Sequence, residues 1–277
     1  MDCEFIQFTE PISPEIDVGT IVGPVLDQLI ANAVEYSELD PNFIYKSRSW
    51  LKIPPPSGEA QSHEVPNFRF MSYNLLADGL VRYECYFGKD RWLENDTRMK
   101  AVLEKDVDGT KPDIINFQEV QPDNSALFDG LKARGYDFVY KKRLDPRIDG
   151  LLTAYKKSRF ELIANFSMNF WAPEVSQLLA RQNVALLTLL RDTAGQREYY
   201  LVANIHVLFS ENRGDIKLVQ ILLTLRAIKL IKLSYFGNTN ESVNVIFSGD
   251  FNVTSSSPIY QLLTFGDGKY LSMHRGQ

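Results

Sequence analysis

Between residues 137 and 206 the sequence runs through five strand-like segments, near 137–141, 150–156, 159–170, 183–190 and 198–206, with no helical pattern between them. Strands joined by short turns pair antiparallel, whereas strands separated by a helix cross over and pair parallel. On either side of this meander the pattern alternates. Strand 68–74, a helix near 94–107, strand 113–118 and a helix near 124–134 precede it; helix 214–235, strand 243–249 and a short helix near 256–264 follow. A chain containing both patterns must build mixed sheets and cover them with helices. The spacing therefore predicts an α/β fold, and a four-layer α/β/β/α sandwich of two mixed sheets accommodates it.

Four of the apolar runs end in a polar group. Met71-Ser72-Tyr73-Asn74 carries one Asn, Ile114 to Val120 ends in Gln118-Glu119, Leu201 to Ile205 ends in His206, and Ile246-Phe247-Ser248-Gly249 ends in Asp250, with Asn252 two positions on. Strand alternation lets Asp250 and Asn252 project together, and Gly249 gives the backbone room to turn. Taken singly, each has an ordinary reading: Asn74 as a strand-end residue, Glu119 as a loop carboxylate, His206 as a hydrogen-bonded core histidine. Together they predict a crevice at the C-terminal ends of the strands, where α/β sheets bind ligands. Hard oxygen donors without cysteine suit one Mg²⁺ or Mn²⁺ that keeps several waters.

The words around these residues carry a family likeness. Ser-Tyr-Asn-Leu-Leu (72–76), Phe-Gln-Glu-Val (117–120), Asn-Ile-His-Val-Leu-Phe (204–209) and Ser-Gly-Asp-Phe-Asn (248–252) resemble, in order and spacing, the successive motifs of the endonuclease/exonuclease/phosphatase superfamily. Asp149-Gly150, Arg181 to Leu186, Arg213 to Gln220 and Ser257-Pro258-Ile259-Tyr260 are similar to its deadenylase-like branch, and within that to the Angel proteins. The resemblance implies a metal-dependent hydrolase of phosphate esters acting on RNA or a nucleotide. It assigns Glu119 to the metal, Asn74 to the metal or the scissile phosphate, Asp250 to the attacking water, Asn252 to the phosphate and Asp250, and His206 to the phosphoryl oxygens. Translation or mRNA-decay proteins are the implied partner class, and oligomeric state stays open.

The same likeness includes a downstream Ser/Thr-Asp-His strand end, and the 25 residues after Asn252 contain no Asp-His pair; His274 follows Met273. The domain thus reads as truncated at its C-terminus, leaving an unpaired sheet edge. A catalytically weak or inactive homologue that acts as a binding protein is the alternative this departure raises.

Residues 1–65 read as an N-terminal extension and Pro-rich linker, in which Pro11, Pro14 and Pro54-Pro55-Pro56 frame a helical pattern from Val22 to Tyr36; residues 66–277 read as the domain. No apolar run reaches the roughly 20 residues that span a bilayer, so no membrane role is expected. The Met-Asp-Cys-Glu start lacks a basic leader, and Cys3 and Cys85 make no metal-spacing pattern. An intracellular setting, cytoplasmic or nuclear, follows. A net charge of −5 argues against a broad basic surface, but Lys141, Lys142, Arg143 and Arg147, with Lys156, Lys157 and Arg159, form two basic groups. If both flank the cleft they guide a phosphate backbone; otherwise they are solvated hairpin lysines.

Overall fold

The protein is seen in a computed structural model that describes residues 15–16, 68–82, 93–194, 198–237 and 243–265. The expected helix at Val22–Tyr36, the Pro-rich stretch, both cysteines and His274 lie outside the described residues.

One sheet has the order β2 (Phe70–Asn74), β3 (Ile114–Val120), β5 (Gly150–Lys156), β4 (Tyr136–Lys142). The other has β1 (Glu15–Ile16), β6 (Phe160–Trp171), β7 (Ala180–Asp192), β8 (Tyr199–His206), β9 (Val243–Asp250). Both are mixed. β2 runs parallel to β3 and β8 parallel to β9, the pairs separated by helices in the sequence, while β3 to β5, β4 to β5 and β6 to β7 to β8 pair antiparallel. The helices are α1 (Asn95–Ala101), α2 (Ser125–Ala133), α3 (Gly214–Phe236) and α4 (Pro258–Phe265). α1 does not continue as the single helix the pattern predicts: Val102–Val107 widens into a π-helix, which keeps Val102, Leu103 and Val107 buried against the sheet. No helix among the described residues is long and apolar enough to cross a membrane.

Strand alternation sorts the side chains into layers. Ile115, Phe117, Leu152 and Ala154 face α1 and α2 and pack with Met99, Leu127 and Leu131. Leu187, Leu189, Leu201, Ala203 and Ile205 face α3 and pack with Ile221, Ala227 and Ile231. The opposite faces of the two sheets meet each other, which completes the α/β/β/α sandwich. At one end this inner layer is apolar, with Ile114, Tyr155, Phe160, Leu190, Tyr200 and Val202. Towards the other end it becomes polar. Asn116 donates to Ser248 Oγ at 2.8 Å and accepts from Thr153 Oγ1 at 2.7 Å; Gln118 donates to Asn204 Oδ1 at 2.9 Å; and Asn204 donates to the carbonyls of Phe117 and Leu152. Buried amides are tolerated when their partners are supplied, and these are.

The described piece of the N-terminal extension is β1. Glu15 accepts from Asn169 of β6 and from Lys141 of β4, so this short strand ties the two sheets at one side. On the other side β2 packs against β9, and among the described residues both are edge strands.

Candidate active site

Strand direction brings the four polar strand ends together. Asn74 is level with Gln118, and His206 with Asp250. Asn74, His206 and Asp250 share a phase with Ser72, Asn204 and Ser248 and so point into the inner layer beyond the buried amides. Glu119 does not share that phase. Strict alternation would put it with Phe117, against the helices. Instead the pairing of β3 with β5 skips it, Gln118 lying opposite Leu151 and Val120 opposite Gly150, and Glu119 takes a left-handed φ of 57°. This bulge turns the carboxylate into the cleft while Val120 takes its place in the helix-facing core. Bulges and left-handed non-glycine residues of this kind carry strain and gather at functional sites.

Asn74 Nδ2 bridges the two carboxylates, donating to Glu119 Oε1 at 3.0 Å and Asp250 Oδ2 at 2.9 Å. Its Oδ1 accepts from the amide of Leu76, and the amide of Ala77 donates to Glu119 Oε2. His206 Nε2 lies 4.0 Å from Glu119 Oε1 and 3.8 Å from Asp250 Oδ2. The imidazole is buried, and burial pushes its pKa below the ordinary value against the opposing pull of Asp250 and Glu119. Burial thus favours the neutral form, in which a proton on Nε2 would face both anions. The Asp250 side chain is 30% exposed and reachable by water.

Asn252 arrives differently from the sequence expectation. It has left the strand, with φ 48°, and it is its backbone amide that donates to Asp250 Oδ1 at 2.9 Å. Its carboxamide donates to the Val207 carbonyl, tying the Asp250 loop to the His206 loop. Gly249 also differs: it makes no turn but lies within β9, and a Cβ there would sit 1.9 Å from the Ile205 carbonyl oxygen of β8. Gly249→Ala, which also meets a φ of 146°, is expected to cost more than about 1 kcal/mol, read as a lower urea midpoint at unchanged slope.

Several residues that hold the site were either not singled out by the sequence, as Arg98 and Gln121, or entered it without a role, as Asn183, Lys217 and Gln220 within family-like segments. Arg98 donates to the carbonyls of Leu75 and Leu76, and Gln121 accepts from Asp78, fixing the loop that holds Glu119. Asn183 donates to the His206 carbonyl and accepts from Gln220, whose Oε1 accepts from Leu208. Buried Lys217 donates to the Asn252 carbonyl at 2.6 Å. Behind His206, Asp149 and Arg143 form a buried pair at 3.4 Å, within electrostatic reach of Glu119 and His206. Both Asp149 oxygens, Arg143 Nε and His206 Nδ1 are buried without a hydrogen-bond partner.

The two basic groups part company. Antiparallel pairing puts Lys141 and Lys142 opposite Leu151 and Gly150 at the site end, but Lys156 opposite Tyr136 at the far end. Lys156 there donates to the Arg134 carbonyl and Arg159 pairs with Asp192. Only the first group can flank the cleft.

A model of the endonuclease/exonuclease/phosphatase family matches residues 71–272. The chain belongs to that family. Members similar to it include protein angel homolog 1 of Rattus norvegicus, 32% identical over 82% of this chain and 35% of that protein, and protein angel homolog 2 of Homo sapiens, 30% identical over 76% and 39%. The chain thus spans between about a third and two fifths of the length of these curated relatives. Among solved structures, ANGEL2, described as a 2′,3′-cyclic phosphatase in complex with adenosine-2′,3′-vanadate, superposes with a TM-score of 0.67 at 30% identity, over 76% of this chain and 62% of that one. The human Nocturnin catalytic domain shares the fold, with a TM-score of 0.55 at 18% identity over 72% of this chain and 69% of that one. The family's sandwich is the architecture described above.

Proposed function

We propose that this chain forms a divalent-metal-dependent phosphoesterase centre for RNA or nucleotide substrates, and that its reaction is hydrolysis of a terminal 2′,3′-cyclic phosphate. The observation that carries the proposal is the convergence of Asn74, Glu119, His206 and Asp250, with two carboxylates bridged by one amide nitrogen. Two anions held that close are the setting in which a cation is favoured, and their hard oxygens suit Mg²⁺ or Mn²⁺. Among the described residues no three His, Cys, Asp or Glu side chains form a ready metal cage, so the fit rests on the two carboxylates. Glu119 and Asp250 are the groups that would hold the ion; Asn74 presents Nδ2 to both carboxylates and turns its oxygen to the Leu76 amide, so it would position them. When bound, it supplies neutralisation of charge on the phosphoryl oxygens.

The remaining work falls to side chains. Asp250 is fixed at both oxygens, by Asn74 and by the Asn252 amide, and is placed to orient a water and accept its proton. His206, neutral with Nε2–H turned to the same space, donates to a phosphoryl oxygen that gains charge as water adds. Water gives a proton to Asp250 and attacks phosphorus, one ester P–O bond breaks, and the departing ribose oxygen takes up one proton, matching the one that Asp250 accepted. The similarity to the ANGEL2 structure supports the choice of a cyclic phosphate over removal of 3′ adenosines.

Incubation of the chain with adenosine-2′,3′-cyclic phosphate is expected to yield the ring-opened monophosphate with Mg²⁺ or Mn²⁺ present, and none after chelation. Shortening of an oligoadenylate without ring opening would favour the exonuclease reaction, and nucleotide binding without turnover would favour the inactive binding protein.

A further inference from the structure

The second basic group of the sequence contributes Lys156 to a cavity of about 650 Å³ at the end of the sandwich away from the catalytic cluster. Gly150, the other end of β5, lies opposite Val120 beside Glu119, and Lys156 lies opposite Tyr136. The length of β5 between them is about 20 Å at about 3.3 Å per residue, so the cavity is remote from the cleft. Its rim forms where the chain departs from regular geometry. The π-helix Val102–Val107 runs into a helical turn, Asp108–Thr110, and Lys111 follows at a φ of 49°. A left-handed residue after a helix is usually glycine, and a lysine is held there at a conformational cost. Segments of π-helix likewise gather at functional sites.

The carboxylates that line this cavity are already taken. Asp108 accepts from Arg134 Nε and Nη2 at 2.8 Å each. Asp113 accepts from the Arg69 amide at 2.8 Å and faces Arg159 at 3.6 Å, a guanidinium it shares with Asp192. The lysines stand differently. Among the described residues neither Lys111 nor Lys156 forms an ion pair, and both act on Asp108 only at longer range. Lys156 uses one of its three N–H groups on the Arg134 carbonyl at 2.9 Å and rests over the Tyr136 ring, 4.1 Å from its centre. Ser158 adds an exposed hydroxyl. With Asp108 set against Arg134 and Asp113 against Arg159, two ammonium groups and a hydroxyl remain to line one space. Ammonium groups are point charges that suit phosphate oxygens. Two of them match a phosphate monoester, which is close to a dianion at neutral pH, better than a phosphodiester with its single charge.

We infer that this cavity is a second anion site, which takes a phosphate monoester between Lys111, Lys156 and the Ser158 hydroxyl. It lies apart from the catalytic cluster and does not depend on the reaction proposed for it. The monoester can belong to a free nucleotide or to the phosphorylated end of an RNA, since both present the same group.

Titration of the full chain with methyl phosphate, followed by amide nuclear magnetic resonance, tests the site. The amides of Lys111, Gly135 and Lys157 report on the cavity, and those of Leu76, Ala77 and Asn252 report on the catalytic cluster. Methyl phosphate is expected to shift the first set saturably, and dimethyl phosphate, with one charge, to bind there at least about tenfold more weakly. Lys111→Asn installs a residue that tolerates left-handed backbone. It is expected to weaken methyl phosphate at the cavity by about 5- to 10-fold and to leave the response of the catalytic cluster unchanged. Lys156→Met keeps the apolar stem over Tyr136 and should lower the affinity by a similar factor; if it fails to fold by circular dichroism, Lys111→Asn decides alone. Adenosine 5′-monophosphate and a 5′-phosphorylated oligoadenylate, compared at the same amides, separate a free monoester from an RNA end, and binding of either supports the site. Shifts confined to the catalytic cluster, or full affinity in Lys111→Asn, overturn the second site and leave the phosphoesterase reading intact. Dimethyl phosphate bound as tightly as methyl phosphate overturns the monoester assignment and gives the surface to a phosphodiester backbone.

Discussion

Asp250→Asn is expected to lower hydrolysis of adenosine-2′,3′-cyclic phosphate by about 10²- to 10⁴-fold, the usual range for loss of a positioned proton acceptor. The substitution keeps shape and removes two properties at once, the basicity that takes a proton from water and one of the two negative charges that face a cation. It also disturbs hydrogen bonding in a predictable way. Asp250 accepts on both oxygens, from Asn74 Nδ2 and from the Asn252 amide, and a carboxamide can accept on only one. If the new oxygen faces the Asn252 amide, its NH₂ opposes Asn74 Nδ2, and Asn74 must turn over and give up its contacts with the Leu76 amide and with Glu119. Two lost hydrogen bonds come to about 2 kcal/mol, less than the kinetic effect, so thermal melting should fall modestly while turnover collapses. Steady-state turnover and melting measured on the same preparation separate the two. Turnover within about threefold of the parent would remove Asp250 from the proton-transfer role.

The strands of this molecule were legible because alternation and run length are local properties, and so was the helix 214–236, whose apolar face is continuous. What alternation does not carry is direction. Lys156 and Lys141 both read as basic residues at strand ends, yet antiparallel pairing sends them to opposite ends of the sheet. Glu119 shows a subtler limit. The pattern Ile115, Phe117, Glu119 places the carboxylate on the wrong face, and only the bulge against β5, set by residues some thirty positions on, turns it into the cleft. Its place at a strand end and the motif likeness found Glu119 where alternation could not.

The supporting residues were hidden for another reason. Arg98 has no signature of its own, and Asn183, Lys217 and Gln220 lie in family-like segments that give them no role, because each acts on a backbone group that becomes available only after the fold has formed. A faint signal existed. Asn183 directly precedes the apolar run of its strand, and Lys217 and Gln220 lie on the buried side of a helix rich in leucine and isoleucine. Polar residues at core positions are expensive unless partnered. Their presence there marks a place where something besides packing is being held.

Arg143→Met alone and Asp149→Asn alone are each expected to destabilise the fold by about 3–5 kcal/mol, and the double variant by markedly less than either sum or single. Asp149 is 1% exposed and the Arg143 side chain 9%, so solvent does little to screen them. Their 3.4 Å contact lacks hydrogen-bond geometry at Arg143 Nε and at both carboxylate oxygens. Burial accordingly dominates both groups: it pushes the Asp149 carboxyl up and the Arg143 guanidinium down, and their mutual attraction only partly opposes it. Removing one partner leaves the other charge buried and uncompensated, whereas removing both also removes the desolvation cost. Urea unfolding of the two singles and the double gives the coupling. The same variants bear on catalysis, since Asp149 lies within electrostatic reach of His206, whose Nδ1 is buried and unpartnered. If the pair also steadies the imidazole, the stable double variant should still turn over more slowly than the parent. Simple additivity of the singles would mean that the two charges do not act as a pair.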